Sequence, residues 1–134
     1  MSSKQVPPIF KTKGYGIIIF TAAQLFIGAI HLIIGLLLSV TPVPIMQATV
    51  AYDIYTVVFG LLVMVFAFFV WQGKKAGWIG TMAVMLFVAI ADSLVVLNLP
   101  SVPGIPKFAA PTEIAYSVVI IVYLLVPRIR KKFL

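Results

Sequence analysis

Apolar residues fill four long runs along this chain, and polar residues are confined to the breaks between them and to a few isolated positions inside. The first run extends from about Tyr15 to Val40. At about 1.5 Å per residue it crosses a hydrocarbon core of about 30 Å with room for tilt. Thr41-Pro42-Val43-Pro44 ends it. The second runs from about Ala48 to Trp71 and closes on Trp71-Gln72-Gly73-Lys74-Lys75, an interfacial aromatic followed by a turn and positive charge. That turn is short, so the second and third helices are expected to be antiparallel neighbours. The third starts at Gly77-Trp78 and fades near Leu97, where Asn98, Pro100, Pro103, Gly104 and Pro106 oppose a helix. The fourth runs from about Pro111 to Val126, with Pro111 suited to a first turn, Thr112 expected to cap it and Glu113 complementing the helix dipole. Pro127 and the basic tail mark its exit. The pattern predicts an all-α, integral membrane four-helix bundle, with residues 1–134 forming one domain.

Charge orients these runs. Of the ten Lys and Arg residues, Lys4, Lys11 and Lys13 precede the first run, Lys74 and Lys75 divide the second from the third, and Arg128, Arg130, Lys131 and Lys132 follow the fourth; Lys107 stands apart. By the positive-inside rule both termini and the middle turn are cytoplasmic, and segments 41–48 and 98–110 face outward. The expected location is the cell membrane, as a multi-pass protein. A net charge of +7 raises the question of nucleic acid, but these cations flank spans and lack interleaved aromatic readers. Anionic lipid headgroups are the expected partner for Lys74, Lys75, Arg128, Arg130, Lys131 and Lys132.

Composition agrees with this reading, since 63% hydrophobic and 10% charged residues do not furnish the surface of a small soluble domain. The absence of cysteine removes disulfides, thiolate metal sites and cysteine nucleophiles together. The first run is too long for a signal-peptide core and no small-residue cleavage site follows it, so it is expected to act as a signal anchor.

Small residues mark where helices can approach in lipid. Gly28 and Gly35 stand seven apart on the first helix, with Gly60 on the second and Gly80 on the third, and all four are expected to serve helix packing. Sliding the chain by 61 residues brings Lys13 onto Lys74, Gly16 onto Gly77, Leu25-Phe26 onto Leu86-Phe87, Pro42 onto Pro103 and Tyr55-Thr56-Val57-Val58 onto Tyr116-Ser117-Val118-Val119. The shift predicts duplicated hairpins, 13–72 and 74–132, related as a parallel repeat. Under it, His31 is equivalent to Asp92.

Those two residues belong to a sparse polar layer. His31 is the single histidine, and Asp53, Asp92 and Glu113 are the three acids. His31 lies about 24 Å beyond Tyr15 and Asp92 about 22 Å beyond Gly77, while Glu113 and Asp53 enter from the outer ends of their helices. Each helix thus places one ionisable group at the outer level, where such groups are costly and are functional candidates. The layer fits pairing of His31 with Asp92, or of either with a neighbouring subunit, or a short proton or quinol relay of His31 and Asp92 that opens outward. Imidazole plus carboxylates also form a metal-ligand set, but no i, i+4 ligand pair appears, and no metal is expected. Gln24 is expected to bond across helices, and Thr21, Thr56, Ser93 and Ser117 to bond carbonyls of their own helices. A pore requires more polar lining than this. No Ser/His/Asp arrangement or phosphate loop is present, so no catalytic residues, cofactor or enzymatic activity are expected.

The strings Phe-Ile-Gly-Ala-Ile-His-Leu-Ile-Ile-Gly at 26–35 and Trp-Gln-Gly-Lys-Lys-Ala-Gly-Trp at 71–78 give the chain a resemblance to small prokaryotic, in composition archaeal, four-transmembrane-helix membrane proteins. The resemblance implies a four-helix bundle and no particular activity. The small loops leave little surface but helix faces. The expected role is therefore a non-catalytic accessory subunit packed against larger integral membrane subunits, such as a copper-dependent membrane monooxygenase or a quinol oxidase. The alternatives are a small transporter or proton-conducting protein using the His/Asp/Glu layer, and a quinone- or lipid-binding subunit.

Overall fold

The computed structural model describes residues 8–40 and 50–134. Lys4, the Thr41-Pro42-Val43-Pro44 break and Ala48 lie outside the described residues, as do the side chains of Lys11 and Lys13. All regular structure among the described residues is helical: α1 is Pro8–Val40, α2 Val50–Trp71, α3 Lys75–Val96, α4 Ala110–Leu125 and α5, a single turn, Pro127–Arg130. Gly14, at φ 76° and ψ 156°, interrupts α1, a conformation that costs glycine little. Beyond this break three stretches, Gly14–Val40, Val50–Trp71 and Lys75–Val96, are long and apolar enough to cross a membrane, with mean hydropathies of 2.3, 2.5 and 2.2. The fourth, at 16 residues, is apolar but shorter.

Local chemistry sets the ends. After α2, Gly73 at φ 73° lets its own N–H reach the Val70 carbonyl and the Lys74 N–H reach the Phe69 carbonyl, both at 2.9 Å, so the freed carbonyls are paired as the chain reverses. Asn98 at φ 57° closes α3 in the same way, with Asn98 and Leu99 N–H groups on Val95 and Leu94. Thr112 does not cap α4. The Pro106 carbonyl accepts from Ala109 and Ala110 at 3.1 and 3.2 Å, which starts the helix earlier, with Ala109 as the cap residue and Pro111 in the first turn. Thr112 is left inside the helix.

Packing runs α1 on α2, α2 on α3 and α3 on α4, and no Cα of α1 comes within 8 Å of one in α4. The α1–α2 seam is closed by glycine. A Cβ on Gly28 would stand 2.8 Å from the Gly60 carbonyl oxygen, and one on Gly60 would stand 2.6 Å from that of Gly28. Gly35 meets Val57 further along the seam, and Gly80 of α3 receives the Phe66 ring of α2. A central cluster of Ile17, Phe20, Phe59, Val63, Met85 and Leu124 fills the bundle. At one end the 97–109 loop folds inward: Ile105 is buried with Leu38, Tyr52 and Ala91, and Ser101 Oγ donates to the Ala91 carbonyl at 2.8 Å. At the other end Phe133 joins the central cluster and Lys132 Nζ lies beside Gly14. Lys74, Lys75, Arg128, Arg130, Lys131 and Lys132 are all exposed at this second end.

Candidate functional site

Because the backbones of α1 and α4 stay apart, side chains must bridge them. Three do so at successive levels. Tyr123 stacks on Phe20 with ring centroids 5.5 Å apart, the Tyr116 hydroxyl donates to Gln24 Oε1, and His31 Nε2 lies 3.5 Å from Glu113 Oε1. The bond expected of Gln24 is therefore made, and its partner comes from α4.

His31 is held on three sides. Its Nδ1 is 2.8 Å from the Ile27 carbonyl, which can only accept, so Nδ1 carries a hydrogen and Nε2 is turned toward Glu113. Phe59 meets the ring edge-on at 4.7 Å. Glu113 also interacts with the carboxyl of Asp92 on α3. Asp92 is 0% exposed, and neither of its oxygens has a conventional hydrogen-bond donor among the described residues. The acid facing His31 is thus Glu113 rather than Asp92. The physical reason is bundle order, in which α1 and α3 lie on a diagonal without backbone contact and α4 brings Glu113 to His31.

Asp53 does not join this group. On α2, Tyr52, Thr56, Phe59 and Val63 form the stripe that faces the core, whereas Asp53, Val57 and Gly60 form the stripe that faces α1. Asp53 accordingly sits at the α1–α2 seam, its backbone oxygen 3.4 Å from where a Gly35 Cβ would lie. Among the described residues no group of three His, Asp or Glu side chains is arranged to hold a metal ion.

A cavity of about 490 Å³ occupies the gap. Ile27, His31 and Ile34 line it from α1, Tyr52, Thr56 and Phe59 from α2, and Thr112, Glu113, Tyr116 and Ser117 from α4. Phe108, 71% exposed, stands at its rim, where the cavity reaches the surface of the bundle. Thr56 and Ser93 bond carbonyls of their own helices as expected, at 2.8 and 2.6 Å, but the Ser117 hydroxyl, fully buried beside the cavity, has no partner there. Sequence reasoning missed this cavity. Its nearest signal was the clustering of Tyr52, Tyr55 and Tyr116 close to the acids, which does not reveal which two helices part.

The chain matches no protein-family model, no curated protein and no solved structure.

Proposed function

We propose that this chain is a multi-pass protein of the cell membrane that binds a lipid-soluble, ring-bearing molecule of the quinone or lipid class between α1 and α4. It does so as a non-catalytic subunit of a larger membrane assembly, such as an energy-converting oxidoreductase. The observation that carries the reading is the cavity itself. Its volume of about 490 Å³ suits a small-molecule site, its walls are mainly aliphatic and aromatic, and its polar groups gather around His31 and Glu113. Such a division suits a ligand with an apolar body and one hydrogen-bonding end, entering from the side.

The test begins with the full-length protein in lipid vesicles and a short-chain benzoquinone as probe. The probe is expected to raise the melting temperature of the wild type and to have no effect on Ala109→Trp, whose side chain fills the cavity from its rim. An equal shift in both proteins, or none in either, removes the reading. The assembly is tested separately by native electrophoresis of source membranes in mild detergent. Co-migration with larger integral subunits supports it, and migration as a lone small oligomer opposes it.

Three further elements belong to this proposal. The end carrying Lys74, Lys75 and the Arg128 to Lys132 group is the cytoplasmic one, in contact with anionic headgroups, and α4 completes a fourth span. The two hairpins are a parallel duplication within one domain. Support comes from burial at the 61-residue offset, where Phe20 and Thr81, Gln24 and Met85, Thr56 and Ser117, Phe59 and Ile120, and Val63 and Leu124 are all buried pairs. The α2–α3 contact has no α1–α4 counterpart, so in this reading the cavity is the place where the two halves have diverged.

A further inference from the structure

We infer that His31, Glu113 and Asp92 form a proton relay that ends blind at Asp92, so that the buried carboxyl exchanges its proton with water only by way of Glu113 and His31. This goes beyond ligand binding and requires no occupant of the cavity.

Access supports the order. Asp92 is fully buried, and the outer loop closes the bundle above it through Ile105 on Ala91 and Ser101 Oγ on the Ala91 carbonyl. The side chains of His31 and Glu113 are 22% and 28% exposed and line the cavity. Glu113, which faces both Asp92 and the cavity, therefore offers Asp92 a route to water. Ser117, a fully buried hydroxyl without a partner, lines the same cavity one helical turn from Glu113 and adds a hydrogen-bonding group to the route.

Charge balance supplies the mechanism. A net charge in this water-poor interior is costly. With Nδ1–H committed to Ile27, the three groups sum to zero only when they share two mobile protons. Three arrangements satisfy that count. In the first, His31 is an imidazolium, Glu113 a carboxylate and Asp92 a carboxylic acid; in the second, His31 is a neutral imidazole and both carboxyls are acids; in the third, His31 is an imidazolium, Glu113 an acid and Asp92 a carboxylate. One proton crossing between His31 Nε2 and Glu113 Oε1, 3.5 Å apart, interconverts the first two with no change in total charge. From the first arrangement Asp92 can pass its proton to Glu113, which gives the third; His31 then releases its Nε2 proton to water at the cavity and accepts the one from Glu113, and after that proton has exchanged with water the same steps run in reverse return one to Asp92.

The experiment is infrared spectroscopy of the full-length protein in vesicles, switched from H₂O to D₂O. Asp92→Asn is expected to remove one carboxylic-acid C=O band. In Glu113→Gln that band is expected to remain while its deuterium shift slows about tenfold or more, the scale of one charge-assisted hydrogen bond. His31→Gln, which leaves both carboxyls in place, is the second arm. Slowing in either variant supports the relay. No band lost in Asp92→Asn, or exchange at the wild-type rate or faster in both other variants, overturns it.

Discussion

α1 meets its two neighbours in opposite ways. Toward α2 it presents Gly28 and Gly35, and the backbones come so close that a methyl group on Gly28 or Gly60 would collide with a carbonyl oxygen. Toward α4 it presents Phe20, Gln24 and His31, each of which reaches across by a long side chain, leaving a cavity at the level of His31. In lipid, where tails compete with side chains for apolar contact, the first arrangement gains dispersion over a continuous seam and the second relies on discrete polar ties. The difference separates a structural side of the helix from a side that can open.

The comparison can be broken most forcefully at Gly60. Gly60→Leu is expected to destabilise the bundle by about 3 kcal/mol or more, because a backbone cannot yield as a flexible side chain does. Reversible unfolding in mixed detergent micelles would measure it. A loss below that of Gln24→Leu would show that the glycine seam is not the tighter one. Next in size, the Gln24–Tyr116 tie is expected to give a coupling of about 0.6–1.7 kcal/mol in a double-mutant cycle of Gln24→Leu and Tyr116→Phe, the range of hydrogen bonds between membrane helices. Zero coupling would mean that this bond adds nothing to holding α1 against α4. The smallest effect sharpens the picture. Ser117→Ala removes a buried hydroxyl that has no partner, so stability is expected to change by no more than about 0.5 kcal/mol. A larger loss would reveal a bond that the hydroxyl makes when the cavity is filled.

The helices were legible in the sequence because their limits are chemical. Gly73 followed by two lysines, Asn98 before a run of prolines, and Pro127 before the basic tail each stop an apolar run for a reason that needs no tertiary context. The polar layer was legible as a level but not as a set of partners. Depth follows from counting residues, and His31, Glu113 and Asp92 do share it. Partnership depends on how each helix is rotated and which helices adjoin, and hydropathy fixes neither. Asp53 makes the point: one residue from the buried Tyr52, it is turned by about 100° onto the α1–α2 seam. Likewise Thr112 has the chemistry of a cap, yet the Pro106 carbonyl engages the chain first.

In the proposed reading, entry from the side, beside Phe108, has a thermodynamic consequence. A site reached from the side equilibrates with molecules already dissolved in the bilayer, so the concentration that governs its occupancy is a mole fraction among lipids rather than a molarity in water. Apolar surface on the ligand then contributes mainly to partitioning, which it completes before arrival. What remains to discriminate one occupant from another is the small free energy of the hydrogen bonds it makes at His31 and Glu113, and of its fit against Phe59 and Tyr116. Selectivity at such a site is expected to follow the polar end of the ligand and to be nearly indifferent to the length of its tail.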